Sequence, residues 1–224
     1  MIEELLPDTV VAVATYGDDT TVPLFPEEAA VVARSAAKRR REFAGVRSCA
    51  RRAMEKLGVP RQPVLPGESG APRWPEGLIG SMTHCDGYRA AALARATDLL
   101  SLGIDAEIDE PLPEGVLAYA ALPTEAERLR GLAEERPDVH WDRLLFSAKE
   151  SVYKAWFPLA RKWLDFTEAD IELFVDPGER LCGGLSAELL VPGPMVAGKR
   201  LDRFEGRWTV GHGLLATAVV VPHT

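Results

Sequence analysis

The chain has 224 residues, 46% apolar and 27% charged, with a formal net charge of -8. This is enough for one large domain or two smaller ones with a sizeable core, and the acidic balance argues against general nucleic-acid binding, which needs a basic surface. Cys49, Cys85 and Cys182 lack C-x-x-C spacing, MIEELLPDTV is no signal peptide, and the longest apolar run, Leu214 to Val221, is too short for a bilayer, so disulfides, a zinc site and a membrane span are not expected and a reducing cytoplasm fits best.

Val10 to Tyr16, rich in valine, predicts a first strand. Pro26 with Glu27 and Glu28 is a helix start, proline in the first turn and acids at the positive dipole end. The helical pattern then runs to Leu57, with Gly58 as a cap and Pro60 beyond it. Gly45 is the candidate break, giving two helices with Arg39 to Arg41 ending the first and Arg47 opening the second. Between Arg34 and Lys56 nine basic residues stand against Glu42 and Glu55, which means a confined anion site or a solvated helix face. Pro60 to Pro75, with five prolines and two glycines, predicts an extended loop.

Leu78 to Leu93 predicts two strands joined at Asp86-Gly87, with His84 just before the turn. Leu99 to Ile104 reads as a buried strand delivering Asp105 and Glu107, followed by a short helix at Val116 to Ala121. Thr124 with Glu127 has the pattern of a capping box, opening a helix to about Glu135. Phe146 to Trp163 predicts a helix with Phe146, Val152, Tyr153, Trp156, Phe157 and Leu159 facing inward. Four strands follow at Ile171 to Val175, Ala187 to Val191, Gly206 to Val210 and Leu214 to Val220. THCDGYRAAAL and GHGLLATAVV share a histidine, a glycine and small apolar residues in similar order, which hints at a duplication.

Asp105 and Glu107, two apart on a strand, point to one face. Side-by-side carboxylates repel unless a cation sits between them. They are either exposed acids at a strand end or, with Glu150, oxygen donors for a hard ion, magnesium or manganese rather than zinc. Lys154, one helical turn from Glu150, is either its ion-pair partner or a ligand contact, and His84 is either structural or a ligand contact. Together with the basic helices, they describe a site for a polyphosphate with magnesium.

Gly103-Ile104-Asp105-Ala106-Glu107 and Phe146-x-x-Lys149-Glu150-Ser151-x-x-Lys154 resemble the paired motifs of the Sfp-type 4'-phosphopantetheinyl transferases, with Phe146 where tryptophan usually stands. Lys38 to Leu57, Gly80 to Arg89 and His140 to Trp163 resemble the actinobacterial, EntD-related PptT subgroup. The resemblance implies transfer of the phosphopantetheine arm of coenzyme A to a serine of an apo carrier protein, with 3',5'-adenosine bisphosphate leaving. It implies that Asp105, Glu107 and Glu150 hold magnesium, with manganese as the alternative, and that Lys154 contacts the pyrophosphate. Arg39, Arg47 and His84 correspond to coenzyme A phosphate contacts, His84 to the 3'-phosphate, and Ser81, Thr83 and Lys149 belong to the same binding set. Glu150 is the implied base, directly or through water. Pro66 and Ser69 stand where the subgroup has loop lysines, leaving Arg61 or Arg73 as substitutes.

The expected fold is α+β, two pseudo-symmetric subdomains at residues 1–100 and 101–224, each with helices packed on a small antiparallel sheet. Coenzyme A, as co-substrate, would bind in the cleft between them. The expected partners are apo acyl carrier or peptidyl carrier domains of fatty-acid, polyketide or nonribosomal peptide synthases, met by a monomer with no nucleic-acid or membrane partner. A magnesium-dependent nuclease fits less well, because Lys149 precedes Glu150 and no carboxylate-x-lysine order is present. A non-catalytic nucleotide-binding module would not need all three acids.

Overall fold

The computed structural model describes residues 1–17, 23–179 and 181–223. Asp86-Gly87 makes the expected tight turn, Gly87 taking a positive φ of 76°, and joins β2 (Leu78–Cys85) to β3 (Tyr88–Arg95). β1 (Val11–Tyr16) pairs with the other edge of β3, giving a three-stranded antiparallel sheet in the order β1-β3-β2. β3 is central, and its alanines let both faces pack closely. Ala91 and Leu93 meet Cys49, Ala50, Ala53 and Met54 of an overlying helix, while Ala90, Ala92 and Ala94 face a second core shared with the next sheet.

The basic segment folds as α1 (Pro26–Val31) and α2 (Ala37–Lys56). The break lies at residues 32–36, and Gly45 sits buried inside α2, so the break expected at Gly45 is corrected. Arg39 to Arg41 open the long helix and Arg47 is at its middle. Glu28, expected at a dipole end, is fully buried and pairs with Arg51 at 2.7 Å. It also accepts the backbone N–H of Phe25 and of Val64. The 60–75 loop carries a two-residue ladder, Leu65–Pro66 with Pro72–Arg73.

β4 (Leu99–Ile108) is longer than expected and includes both Asp105 and Glu107. After it come α3 (Val116–Ala120), α4 (Pro123–Glu135) and α5 (Trp141–Ala160). α4 starts one residue before the expected cap, because Pro123 takes the first helical position, and Glu125 rather than Glu127 reaches back to Leu122 N at 2.7 Å. α5 starts at Trp141, earlier than Phe146, and ends at Ala160. Pro158 is in its last turn and Arg161 closes it with φ 53°.

β5 (Ala169–Val175), β6 (Cys182–Leu189), β7 (Arg203–Gly211) and β8 (Leu214–Pro222) complete a five-stranded antiparallel sheet in the order β4-β8-β7-β6-β5. The α+β reading is borne out. The hairpins β2-β3 and β7-β8 are both sharply turned, but His84 lies on a strand while His212 occupies the turn with φ 57°, so the two histidines are not equivalent. Among the described residues no helix is long and apolar enough to cross a membrane.

The two sheets meet where β2 runs beside β4. Ser81 Oγ accepts Ile104 N at 3.0 Å and Thr83 Oγ1 accepts Ala106 N at 3.1 Å. Side-chain hydroxyls thus stand in for ladder carbonyls at this seam, satisfying N–H groups that burial would otherwise leave costly.

Candidate active site

Alternation along β4 sorts its residues by face. Leu102, Ile104 and Ala106 enter the core between the sheets, whereas Ser101, Gly103, Asp105 and Glu107 turn to α5. Ser101 Oγ donates to Ala155 O at 2.7 Å. Gly103 has no side chain because α5 lies against it: a Cβ would overlap the Ser151 carbonyl and come within 2.7 Å of Ala155 N. That close approach sets Lys154 over the strand, where its Nζ donates to Asp105 Oδ1 at 2.7 Å and to Ile104 O at 3.2 Å. Thr83 also donates to Asp105 Oδ1, at 3.0 Å, while the buried Asp105 Oδ2 has no protein partner. Glu107 Oε2 accepts from Arg143 at 3.1 Å.

The acids feel one another. Burial, and then the charge of Asp105, push Glu107 above the ordinary glutamate range, against the pull of Arg143. Burial likewise raises Glu150, with Lys154 opposing and Asp105 reinforcing the rise. As placed, no three acidic, histidine or cysteine side chains among the described residues converge closely enough to hold a metal ion. Lys154 and Arg143 each occupy a carboxylate.

A cleft of about 730 Å³ opens beside this cluster, lined by Arg39, Arg47 and His84 on one wall and Glu150, Tyr153, Lys154 and Arg161 on the other. Arg39 Nη1 lies 3.0 Å from His84 Nε2, and Glu42 is 3.4 Å from the same nitrogen. Burial lowers the His84 pKa, partly offset by Glu42. Arg47 stacks on the Phe43 ring at 3.1 Å, donates to Val64 O, and is brought down to about 10 by burial. One wall is thus cationic and the other carries a carboxylate next to an ammonium, an arrangement that fits a polyanion whose far end meets the acids.

Residues 27–94 fit the family model of the 4'-phosphopantetheinyl transferase N-terminal domain, and residues 101–188 that of the 4'-phosphopantetheinyl transferase superfamily. The chain is 60% identical over 224 residues to 4'-phosphopantetheinyl transferase Svp of Streptomyces mobaraensis, covering 99% of this chain and 89% of that one. It is 45% identical to PptT of Mycobacterium tuberculosis, covering 99% and 98%, and 45% identical to Npt of Nocardia iowensis, covering 98% and 99%. The chain belongs to the 4'-phosphopantetheinyl transferase superfamily.

Within this transferase the expected site residues divide. Arg39, Arg47, Ser81, His84, Glu150 and Lys154 line the one cleft, and Asp105 touches Lys154. Ser81 and Thr83 are buried at the seam with their hydroxyls engaged by β4. Lys149 faces another way. Its ammonium pairs with the buried Glu125 at 2.8 Å and donates to the carbonyls of Phe166 and Ala169, both at 2.6 Å, which makes it an internal strut and leaves it no hand in the main cleft. Of the two substitutes for the absent loop lysines, Arg73 lines the cleft, while Arg61 is paired with Glu55 outside it. Sequence reasoning missed Tyr153, Arg161 and Arg143. Arg143 stands two helical turns before Glu150 and so on the same face, a signal that required the helix to begin before Phe146.

Proposed function

We propose that this enzyme moves the 4'-phosphopantetheine arm of coenzyme A onto a serine of an apo carrier protein, releasing 3',5'-adenosine bisphosphate. The observation that carries this reading is the single cleft joining Arg39, Arg47 and His84 to Glu150 and Lys154. A coenzyme A bound there would set its 3'-phosphate by Arg39 and His84 and its pyrophosphate toward Lys154, with Arg73 supplying charge from the loop. The halves 1–100 and 101–224 are read as the units whose apposition makes the cleft, acting as a monomer in a reducing cytoplasm.

The acids do not converge as placed, but their donor chemistry suits a hard dication, magnesium or manganese, that would draw them together. All donors are carboxylate oxygens, Asp105 Oδ2 is buried without a partner, and Glu107 and Glu150 are both raised by burial. Asp105, Glu107 and Glu150 would hold it. When bound, it neutralises charge on the pyrophosphate oxygens.

The chain's own groups do the rest. Glu150, which among the described residues makes no ion pair as close as that of its neighbour Asp105, takes the proton of the carrier serine, directly or through water. The serine oxygen attacks the phosphorus that bears the pantetheine arm, the bridging P–O bond breaks, and the electrons leave on 3',5'-adenosine bisphosphate. Lys154 balances that charge. A second pocket of about 230 Å³ adjoins Glu150, lined by Val152, Tyr153, Trp163, Leu164 and Phe166 together with Lys149 and Asp165. Its mainly apolar walls, with the Lys149 ammonium engaged by Glu125, suit the uncharged pantetheine arm, and the neighbouring Tyr119 and Trp163, each 68% exposed, offer a rim for the carrier.

Intact-mass spectrometry of an apo acyl carrier protein incubated with the enzyme, coenzyme A and magnesium tests this. A metal-dependent gain of about 340 Da, the mass of one phosphopantetheine, is expected. No gain on fatty-acid, polyketide or peptide synthase carriers, with coenzyme A still bound, would reduce the protein to a binding module.

A further inference from the structure

Arg143 belongs to neither paired motif, yet it ties an acid of the cluster to the backbone that follows β4. Its Nε donates to Glu110 O at 3.1 Å, its Nη2 to Pro111 O at 2.9 Å, and its Nη1 to Glu107 Oε2 at 3.1 Å. The planar guanidinium spans all three acceptors at once, which a lysine cannot do. Around it the first turn of α5 grips the same stretch of chain. His140 Nδ1 lies 2.8 Å from Asp109 Oδ1, and Asp142 Oδ2 accepts Leu112 N at 2.8 Å.

From this geometry we infer that Arg143 is a positioning residue for the dication: it holds Glu107 through Oε2 so that the other carboxylate oxygen is kept turned toward Asp105. The inference rests on the metal reading above. Without a tether, Glu107 would swing to solvent, because Asp105 on the same strand face repels it. Two effects oppose each other at Arg143. A fixed cation near the site repels a dication, which weakens binding, whereas orientation of the ligand by an outer partner strengthens it, and loss of such a partner typically costs ~10- to 100-fold in metal affinity. Three simultaneous bonds on a rigid fork make orientation the larger effect.

The test is direct Mn2+ binding to the full-length protein, followed by electron paramagnetic resonance of the free ion, for wild type, Arg143→Lys, Arg143→Gln and Asp105→Asn. Positioning predicts about tenfold weaker Mn2+ binding in both Arg143 variants, because both lose the fork while only one loses the charge. It also predicts a metal half-saturation raised by the same factor in the transfer assay, with kcat recovered at saturating metal, and coenzyme A affinity in chelator unchanged. Tighter Mn2+ binding in Arg143→Gln would show that charge repulsion dominates and overturn the inference, as would unchanged binding in both. Loss of metal-free coenzyme A binding or of the folded circular-dichroism signal in Arg143→Lys would assign the residue to folding instead. Wild type that binds no Mn2+, or binding untouched by Asp105→Asn, would remove the metal site itself and this inference with it.

Discussion

Lys149 and Glu150 are neighbours in sequence, but a helix turns by about 100° per residue, so they face different surroundings. Lys149 is buried against Glu125, and burial lowers its pKa against the pull of that carboxylate. Lys149→Met should cost ~3–5 kcal/mol in urea unfolding, because it strands a buried carboxylate, while coenzyme A affinity of the folded protein stays within a few-fold. A variant of normal stability with coenzyme A binding lost would restore Lys149 as a ligand contact. His84 makes a prediction of opposite kind. Burial depresses its pKa below 6.5, so the unfolded chain takes up its proton first, and the ligand-free protein loses stability as pH falls from ~6.5 toward the lower folded value. A phosphate beside the ring favours the imidazolium, so coenzyme A binding should take up a proton and tighten between pH 7.5 and 6. Calorimetry in buffers of different ionisation enthalpy reads that uptake, which His84→Asn should abolish. Absence of uptake in wild type would remove the phosphate from His84. Lys149 was legible as a charge in a buried helix, but its direction was not, because its partner Glu125 lies on another helix that no local pattern links to it. Glu107 was legible as a strand neighbour of Asp105, and its tether to Arg143 was not, since that bond depends on where α5 begins.

At the scale of elements, Gly103 is the residue that sets the distance between β4 and α5. A side chain there meets the backbone at Ser151 and Ala155, and backbone cannot give way as a flexible side chain can. Gly103→Ala should therefore lift α5 from the strand, at a cost of at least ~1–3 kcal/mol, and carry Lys154 away from Asp105. Transfer activity should fall far more than coenzyme A affinity, which in the proposed binding mode relies mainly on the opposite wall; full activity in a variant of wild-type stability would refute the close-approach reading. The strand, its alternation and the helix were all readable from apolar spacing, and so was the hairpin at Asp86-Gly87. The break in the basic segment was not. Gly45 looked like the weak point because glycine costs about 1 kcal/mol in a helix interior, but it is buried in α2 and the helix runs through it. Glu28, in the first turn of α1, is drawn under α2 to Arg51 and holds Val64 as well. Arg51 thus neutralises an internal acid and adds nothing to the cationic wall, which is narrower than the run of basic residues suggested.

For the whole molecule, the seam between the two sheets joins one wall of the cleft to the other. β2 bears His84, β4 bears Asp105, and between them stand Ser81 and Thr83, whose hydroxyls take the N–H groups of Ile104 and Ala106. Replacing both by Ala and Val keeps the volume close but leaves two buried N–H groups without acceptors, each worth ~1–3 kcal/mol. Ser81→Ala with Thr83→Val should therefore be destabilised by several kcal/mol in urea unfolding. Coenzyme A at one hundred times its dissociation constant adds ~2.7 kcal/mol to any state that binds it and not to the unfolded chain. A purely structural seam predicts that this increment survives in the double variant once ligand is scaled to its own dissociation constant. It also predicts that the dissociation constant rises modestly, because the walls are less well fixed relative to each other. A variant of unchanged stability whose coenzyme A binding fell more than tenfold would instead make the two hydroxyls ligand contacts in their own right, and the sheets would then have to be held together chiefly by the alanine-lined core of β3, β4 and β8.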